Sequence, residues 1–418
     1  MKRPAPEVGR NWAGNLAYAA SRLVEPASLA ELAAVVRAEP RIRVLGSRHC
    51  FNDIADTDGV LVSLRHLAGD VLLGGRRTVR VPAGARYGEV APAMHDAGVA
   101  FGNLASLPHI SIGGAVQTGT HGSGDRARSL AAAVTAVELM TADGSIRRIA
   151  RGDADFDGAV VGLGALGVVT HLDVEVEPAY DVAQTVFDGG DWDRILADLD
   201  AVTGAATSVS LFTTWADPDR VDQIWTKRRT GDRGLDAAMI GAQPADGPRH
   251  PIPGADPAPA TEQGGRPGPW YERLPHFRMA FTPSAGDELQ TEYLVAREDA
   301  VTAIEALRRL AGRIRPLLQI CEVRTIAADD LWLSGAYGRD TVGLHFTWRP
   351  DQAAVLALLP ELEAALPVSA RPHWGKLFTL ETDALRERYP RWHDFAALRD
   401  RLDPDRRFEN DFTRRLGL

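Results

Sequence analysis

The chain is poor in cysteine and lacks any long apolar run. Two cysteines, Cys50 and Cys321, stand among its 418 residues. They are too few for a disulfide framework, and both lie in apolar surroundings that suit reduced thiols. No run approaches the ~18 apolar residues of a membrane span, and the N-terminal basic residues have no apolar stretch behind them. We therefore expect a cytoplasmic protein that does not bind a membrane.

The chain also lacks a dense basic face. Its net charge is −9, and the arginine-rich segments at 228–234 and 414–415 are short. The 47 lysine and arginine residues form no dense face that could neutralise phosphates, which argues against nucleic acid as the main partner. Hydrophobic residues make up 45% of the sequence, enough to fill the cores of two or three domains. We expect a monomer that acts on a small molecule.

Four familiar sequence signatures are missing or out of place. Neither H-E-x-x-H nor C-x-x-C occurs, so no metal site is expected. Ser106 has no G-x-S-x-G around it, which excludes a serine-hydrolase elbow. Residues 162–167 match G-x-G-x-x-G, but an alternating β-branched segment follows where the motif requires a helix. We reject a nicotinamide site there and expect this loop to pack against a cofactor bound elsewhere.

A small-residue turn follows an early buried strand. The strand ends at Leu45, and Gly46 and Ser47 allow successive backbone N–H groups to form a concave anion site. Upstream, a capping box at 28–31 begins an amphipathic helix. His49 follows the turn directly, within reach of a ligand held there. Helix, strand and turn together indicate a nucleotide-binding arrangement, although the strand exit lacks the G-x-G-x-x-G of a dinucleotide fold.

A second glycine-rich segment, S-I-G-G-A-V-Q-T-G-T-H-G-S-G, spans 111–124. Its five glycines are too many for the interior of a regular element. Such a segment allows backbone to pass close to a flat or phosphorylated ligand. A long irregular connection between strands explains it equally well, and the residues alone leave both interpretations open.

The pattern of predicted helices and strands changes near Pro178. Helical patterns beyond it lie at 192–202, 297–313 and 351–365, and strand patterns lie at 208–214, 221–227, 292–295, 318–326 and 342–348. Few parallel crossovers are implied. This predicts an α+β fold whose second domain is an antiparallel sheet with helices on one face. The Pro- and Gly-rich stretch at 243–269 is interpreted as either a flexible excursion or a lid over a site.

One predicted strand places a carboxylate and a guanidinium side by side. Alternation puts Ile320, Glu322, Arg324 and Ile326 on the same face. The ion pair is either a buried structural pair or a grip on a polyol or sugar, with Glu322 accepting from one hydroxyl and Arg324 donating to another.

Further candidates lie on a second strand and in two loops. His345 and Thr347 share a strand face, where the histidine is either a hydrogen-bonded core residue or the acceptor of a hydroxyl proton. Lys376 lies among aromatic neighbours, where its charge could stabilise an alkoxide or an anionic reduced cofactor. Ser106 precedes the second glycine-rich segment and is expected to project into the same cavity.

Five motifs together resemble a known family. They are G-S-R-H-C-F-N at 46–52, L-A-S-L-P-H-I-S-I-G-G at 104–114, G-T-H-G-S-G at 119–124, G-A-L-G-V-V-T at 164–170 and H-W-G-K at 373–376. The five motifs occur in the order expected for the vanillyl-alcohol-oxidase-type FAD flavoproteins. The chain is similar to this family over essentially its full length. Within them it resembles the aldonolactone and alditol oxidase branch, and most of all the bacterial alditol oxidases.

This resemblance implies an FAD-binding domain at 1–178, a substrate (cap) domain at 179–375 and a C-terminal return to the first domain at 376–418. It also implies FAD bonded covalently to His49 through the flavin 8α-methyl group, with the glycine-rich segments around the pyrophosphate. The cofactor-binding residues that it implies are Gly46, Ser47, Arg48, His49, Cys50, Ser106, Ile112, Gly113, Gly114, Thr118, Gly119, Thr120, Gly122, Ser123, Gly124, Gly167 and Val168.

The resemblance further implies a polyol pocket at the flavin's reactive face. Its residues would be Ser106, Glu322, Arg324, His345, Thr347 and Lys376. The implied reaction transfers a hydride from the terminal carbinol of an alditol, such as xylitol, sorbitol or glycerol, to flavin N5. Oxygen then accepts the two electrons, which gives hydrogen peroxide and an aldose.

In this scheme His345 accepts the hydroxyl proton while Arg324 and Lys376 steady the alkoxide, although His345 and Lys376 could exchange roles. Glu322 and Ser106 would orient neighbouring hydroxyls. One alternative is an aldonolactone oxidase or dehydrogenase of the same family, acting on gulono-, galactono- or arabinonolactone. Another is a flavin carrier that binds without turnover.

Overall fold

The computed structural model describes residues 8–67, 69, 71–73, 77–281 and 288–418. Within them the chain forms two α+β domains, each built on its own sheets and hydrophobic core, as predicted.

The strands are numbered in chain order. Those of the first domain are β1 Arg22–Val24, β2 Ile42–Val44, β3 Val60–Val62, β4 Leu72–Leu73, β5 Thr78–Pro82, β6 Val99–Ala100, β7 Val134–Met140, β8 Ile146–Ala150, β9 Val168–Glu175 and β10 Glu177–Pro178. Those of the second are β11 Asp181–Asp188, β12 Ser208–Thr213, β13 Gln223–Arg228, β14 Gln243–Pro244, β15 Pro267–Pro269, β16 Leu289–Ala296, β17 Leu318–Ile326, β18 Thr341–Trp348 and β19 Arg371–Pro372.

The helices connect and cover these strands. The α-helices are α1 Leu29–Ala38, α2 Tyr87–Asp96, α3 Ile112–Gln117, α4 Phe156–Ala159, α5 Trp192–Ala197, α6 Leu199–Thr203, α7 Trp270–Arg273, α8 Ala300–Ile314, α9 Gln352–Ala365, α10 Thr382–Arg388, α11 Trp392–Leu402 and α12 Asp411–Leu416. Short 3-10 helices span Asp53–Ala55, Leu130–Ala133, Ala238–Ile240 and Arg297–Asp299. In the described part of the chain, no helix has both the length and the apolar character needed to cross a bilayer.

The first domain holds a three-stranded parallel sheet, β1-β3-β2, and a five-stranded antiparallel sheet, β4-β5-β9-β7-β8. Helix α1 begins at Ser28, the predicted N-cap residue, but the predicted capping box is only half formed, because the Glu31 side chain bonds the backbone N–H of Ala27 and not that of Ser28. Ser28 Oγ accepts a hydrogen bond from Glu31 N, and the Glu31 carboxylate accepts one from Ala27 N at 2.9 Å. Because Leu32 and Val36 are fully buried, the predicted amphipathic helix is confirmed.

The second glycine-rich segment is more regular than its composition suggests. Its first part is helix α3, so the prediction that these glycines exclude a regular element was wrong there. A Cβ at Gly113 would lie 2.8 Å from Ala83 Cβ, so glycine lets the helix pack closely against the turn after β5. Beyond the helix, Gly119 and Gly124 have φ of 66° and 143°, which glycine adopts without strain.

The second domain is a nine-stranded antiparallel sheet. Its order is β14-β11-β13-β12-β17-β18-β16-β19, with β15 also paired to β11. Tyr293, Val323 and Leu344 point into a core shared with helices α5, α6, α8 and α9. Side chains at the alternate positions of these strands face the other way. An antiparallel sheet with helices on one face is therefore confirmed.

One predicted helix of this domain is divided. The pattern at 192–202 forms α5 and α6, which are separated at Asp198, where φ is −148° and ψ is 65°. The Asp198 side chain accepts a hydrogen bond from Ala201 N and so caps α6. The capping residue ends one helix and begins the next, which periodicity alone does not reveal.

The C-terminal helices return to the first domain. Leu385, Trp392, Phe395 and Phe412 belong to the same hydrophobic core as the strands of that domain. The backbone joins as well, because Ile42 N donates to Arg407 O at 2.8 Å.

Arg43 ties three distant segments of the first domain together. Its buried guanidinium donates to the carbonyl oxygens of Ile54, Leu163, Gly164 and Phe408 at 2.6 to 3.0 Å. Burial lowers the pKa of Arg43 to about 10, so the side chain remains charged at neutral pH. The guanidinium thus supplies hydrogen-bond donors to four carbonyl groups, those of Ile54, Leu163 and Phe408 among them buried.

We expect Arg43→Met to destabilise the protein by about 3–5 kcal/mol, because it leaves several buried carbonyl groups without a donor. Urea unfolding followed by circular dichroism measures this loss. The matched control is Arg41→Met, which removes an exposed arginine paired with Asp58 and should cost below about 0.5 kcal/mol. Equal losses for the two variants would contradict the role assigned to Arg43.

Candidate functional site

A cavity of about 670 Å³ lies between the two domains. Turns of the first domain form one wall, and the polar face of the second sheet forms the other. All six residues predicted to contact substrate line it. The predicted cofactor residues in the wall are Gly46, Ser47, Arg48, His49, Cys50, Ser106, Gly113, Gly114, Thr118, Thr120 and Gly167. Ile112, Gly119, Gly122, Ser123, Gly124 and Val168 are not among its lining residues.

A narrow cradle lies where the turn after β2 meets the start of α3. A Cβ at Gly46 would come within 2.5 Å of Ser111 Oγ, and one at Gly114 within 2.7 Å. Ser47 Oγ accepts a hydrogen bond from Ser111 N at 3.1 Å. The Ser111 hydroxyl is buried and makes no hydrogen bond within the described residues. Close backbone approach and a spare hydroxyl donor suit an anionic group.

Arg48 stabilises the turn, and its guanidinium group is bonded to the N-terminal segment instead of supplying a charge to a ligand. Its φ of 64° is left-handed, which is unusual for a residue with a side chain. The guanidinium donates to Val8 O at 2.6 Å and to Arg10 O at 3.1 Å. The N-terminal segment in turn donates from Trp12 N to Arg48 O at 2.8 Å. These bonds hold the backbone that presents His49.

His49 lies at the cavity wall with both ring nitrogens shielded from solvent. Neither nitrogen makes a hydrogen bond to any residue that the structure describes. The ring stacks on Trp12 with centroids 5.2 Å apart and 19° between the planes. Burial lowers the pKa of His49 to about 4, so the imidazole is neutral at neutral pH. A buried imidazole with two unsatisfied nitrogens calls for a further partner.

Ser123 and Gly124 join the two domains instead of lining the cavity. Ser123 Oγ donates to Val209 O at 2.5 Å, and Gly124 N donates to Thr325 O at 2.9 Å. Their position thus fixes the sheet of the second domain against the glycine-rich segment.

A cross-strand row of polar residues forms the opposite wall. The register of β16, β18 and β17 places Glu292, His345 and Glu322 side by side. All three are buried. Sequence reasoning found His345 and Glu322 but missed Glu292, although the alternating polar residues of β16 could have indicated it.

Arg324 connects the two carboxylates of this row. Its Nη2 lies 2.6 Å from Glu292 Oε1, whereas its Nε lies 3.6 Å from Glu322 Oε2. Nη1 also donates to Ser106 Oγ at 3.3 Å. The sequence predicted Glu322 as the partner because the two share a strand, but the closer partner comes from β16, two strands away.

Both carboxylates remain ionised despite their burial. Burial alone would raise the pKa of Glu292, but Arg324 and His121 outweigh it and hold that pKa well below its usual value. The pKa of Glu322 is raised by burial and lowered more strongly by Arg324 and His276. The cavity therefore contains two carboxylates able to accept hydrogen bonds from hydroxyl groups.

His345 and Lys376 lie next to each other at the end of this row. His345 Nδ1 is 3.5 Å from Lys376 Nζ and 3.5 Å from Glu292 Oε2, and its Nε2 is 3.3 Å from Thr347 Oγ1. Lys376 Nζ also donates to Gln290 Oε1. Burial and the Lys376 charge lower the pKa of His345 to about 4, and burial lowers that of Lys376 to about 8.

At neutral pH this corner of the cavity thus holds a neutral imidazole beside an ammonium group. The imidazole can accept a proton, and the ammonium can stabilise an oxyanion.

Two buried residues that the sequence did not single out extend the row. His276 Nε2 lies 2.9 Å from Glu322 Oε1, and its Nδ1 lies 3.1 Å from Lys227 Nζ. His276 lines the cavity, and Lys227 is fully buried behind it. Lys227 falls within a predicted strand, but its contact with the loop residue His276 depends on tertiary packing.

The stretch at 243–269 covers one end of the cavity. His250, Pro251, Ile252 and Pro259 line it, and strands β14 and β15 anchor the stretch to β11. Of the two interpretations of this stretch, a flexible excursion or a lid over a site, the structure agrees with the lid. Among the residues that the structure describes, no group of three or more His, Cys, Asp or Glu is arranged to hold a metal ion.

Comparisons with known proteins identify the family of this chain. The family model "FAD binding domain" matches residues 20–150, and the model "D-arabinono-1,4-lactone oxidase" matches residues 287–416. The chain is 50% identical to an alditol oxidase of Streptomyces sp., over 97% of this chain and 98% of the relative. It is 32% identical to an L-gulono-1,4-lactone dehydrogenase of Mycobacterium tuberculosis, with the same coverage of both chains.

The fold is also similar to a solved structure of cholesterol oxidase from B. sterolicum. The TM-score is 0.76 at 16% identity, over the full length of both chains. Since identity this low supports only the fold, the family assignment rests on the closer relatives. The chain belongs to the vanillyl-alcohol-oxidase-type FAD flavoproteins, in the branch that contains the alditol and aldonolactone oxidases.

Proposed function

We propose that this protein is an FAD-dependent oxidase that converts the terminal primary alcohol of an alditol to the aldose and reduces oxygen to hydrogen peroxide. The observation that carries the proposal is the cavity, whose glycine-lined cradle faces a buried row of carboxylates and cations. A polyol presents many hydroxyl groups, and this row offers acceptors and donors for them. The 50% identity to an alditol oxidase supports the same substrate class.

The residues present fit FAD. The cradle formed by Gly46, Ser111 and Gly114 would hold the pyrophosphate, since a Cβ at either glycine would meet the serine hydroxyl. His49 would form the covalent link, because its two unsatisfied ring nitrogens require no hydrogen bond to be given up. When bound, FAD supplies the acceptor for the hydride and passes the electrons to oxygen.

The chain's own residues supply binding, orientation and charge. His345, neutral at neutral pH, would accept the proton of the substrate hydroxyl. Arg324 and Lys376 would steady the resulting alkoxide. Glu322 and Ser106 would orient the neighbouring hydroxyl groups. Glu292 would offset the positive charge of Arg324, which it contacts at 2.6 Å.

An aldonolactone oxidase or dehydrogenase is the second candidate. The lactone-oxidase family model and the 32% identity to an L-gulono-1,4-lactone dehydrogenase favour it. The higher identity to the alditol oxidase places the alditol first.

We further infer domain limits at 1–178, 179–375 and 376–418, supported by the start of the second sheet at β11 and by the return of α10 to α12 to the first core. The two cysteines are free thiols, which favours the cytoplasm. We propose a monomer, since the described elements assemble the cavity from a single chain.

The proposed function is tested by initial rates on xylitol, sorbitol, glycerol and L-gulono-1,4-lactone in air. We expect turnover of the alditols, with one peroxide formed per alditol oxidised, because the polar row matches open-chain hydroxyl groups. Turnover of the lactone alone would contradict the alditol assignment, and alditol turnover without peroxide would contradict the oxidase assignment.

The covalent link is tested by acid precipitation of the purified protein. The wild-type pellet should stay yellow, whereas His49→Ala should release its FAD to the supernatant because the bonding nitrogen is gone. His393→Ala, at an exposed position outside the cavity, is the matched control and should keep its colour. A yellow pellet from His49→Ala would place the link elsewhere.

The assignment of the base is tested by the pH profile of kcat/KM. If His345 is the base, it is available above its pKa of about 4, and the Lys376 charge is lost as pH rises through about 8. We therefore expect kcat/KM for xylitol to be level near pH 6 to 7 and to fall above about pH 8. A rise through pH 8 would instead assign the base to Lys376.

A further inference from the structure

The fully buried ammonium group of Lys227 has no role in the chemistry derived so far. It lies on β13, and its two hydrogen bonds go to uncharged acceptors, the Leu274 carbonyl oxygen and His276 Nδ1. Burying an ammonium group is costly unless a negative charge compensates it. Burial lowers the pKa of Lys227 to about 7, and the negative charge of Glu322, which lies on the other side of the His276 ring, opposes that shift.

The hydrogen bonds that link Lys227, His276 and Glu322 have only one possible donor-to-acceptor direction. A carboxylate oxygen accepts but does not donate, so His276 must carry its proton on Nε2, where it faces Glu322. Nδ1 of the neutral ring is then an acceptor and can accept a hydrogen bond from Lys227. Burial and the nearby Lys227 charge lower the pKa of His276 to about 4, which agrees with a neutral ring.

The His276 ring is fixed by its surroundings as well as by these bonds. Phe212 and Trp225 contact it edge to face, with centroids 5.5 and 5.4 Å away. Its backbone N donates to Ser106 O at 3.0 Å, and its carbonyl oxygen accepts from Thr261 N at 2.9 Å. One residue thus contacts both Ser106 and Glu322, which lie on opposite domains and line the same cavity.

Glu322 keeps one oxygen available for a ligand. His276 occupies Oε1 at 2.9 Å, whereas Oε2 has Arg324 Nε only at 3.6 Å, beyond normal hydrogen-bond length. A carboxylate held at one oxygen presents the other in a defined direction.

We propose that Lys227 and His276 are positioning residues that hold Glu322 so that its second oxygen accepts a hydrogen bond from a hydroxyl group in the middle of the polyol. This inference rests on the proposed function and assigns the recognition of the non-reacting hydroxyls to a three-residue chain, Lys227, His276 and Glu322. This three-residue hydrogen-bond chain sets the preference for polyols over simple primary alcohols. The hydroxyl group that reacts is bound elsewhere, by His345 and Lys376.

The test compares kcat/KM for xylitol with that for pentane-1,5-diol, which is xylitol without its three middle hydroxyl groups. We expect wild type to prefer xylitol, and His276→Leu to reduce that preference about tenfold or more, since a buried acceptor loses its alignment. The loss should fall on xylitol, with kcat/KM for the diol changed less than about threefold. His276→Gln, whose amide can donate to Glu322 and accept from Lys227, should restore much of the preference.

Thr226→Val is the matched control. Thr226 is buried on the same strand and donates to Thr185 O at 3.2 Å. The variant therefore reports general damage to β13 and leaves Lys227, His276 and Glu322 in place. Its preference ratio should equal that of wild type. Flavin content and melting temperature are recorded for every variant.

The outcomes separate this inference from the proposed function. Wild type that oxidises no alditol would refute the proposed function and the inference with it. Active wild type with the same preference ratio in folded His276→Leu would refute the positioning chain alone. Should His276→Leu fail to fold, Lys227→Met decides, because an unchanged ratio without the donor to His276 Nδ1 would also refute the three-residue chain.

Discussion

The guanidinium of Arg324, held between Glu292 and Glu322, is the interaction on which the rest of the site depends. Arg324 Nη2 lies 2.6 Å from Glu292 Oε1, and Arg324 Nε lies 3.6 Å from Glu322 Oε2. All three ionised groups lie in the same buried wall of the cavity. Removing any one would leave an uncompensated charge in this buried wall of the cavity. The same balance keeps both carboxylates ionised, and so able to accept hydrogen bonds from hydroxyl groups.

This balance results from the register of an antiparallel sheet. Three neighbouring strands place Glu292, His345 and Glu322 in one row, while the residues beside them in each strand fill a core against the helices. A shift of one residue in any strand would turn its polar group into that core. The rigid sheet therefore presents the polar wall, and the turns of the first domain present the cradle opposite. The Arg43 hydrogen bonds join the strand before that turn to the loop at 163–164 and to the C-terminal segment.

Much of this could be predicted from local signals. The helix start at Ser28, the strand after 162–167 and the alternation around Glu322 are each readable within ten residues, and the structure confirms them. The interactions that could not be predicted join distant parts of the chain. Arg324 pairs across strands with Glu292, His276 reaches Glu322 from a loop, and Trp12 stacks on His49 from the N-terminal segment. Such contacts depend on topology and register, which a single sequence specifies only through the whole fold.

The most direct test of this account is anaerobic reduction of the bound flavin by xylitol in wild type and in Arg324→Met, followed by its absorbance. We expect both proteins to retain the flavin, because the cradle lies on the other domain, and bleaching to be roughly 100- to 1,000-fold slower in the variant. Bleaching at the wild-type rate in a folded Arg324→Met protein would contradict the central role of the charge held between Glu292 and Glu322.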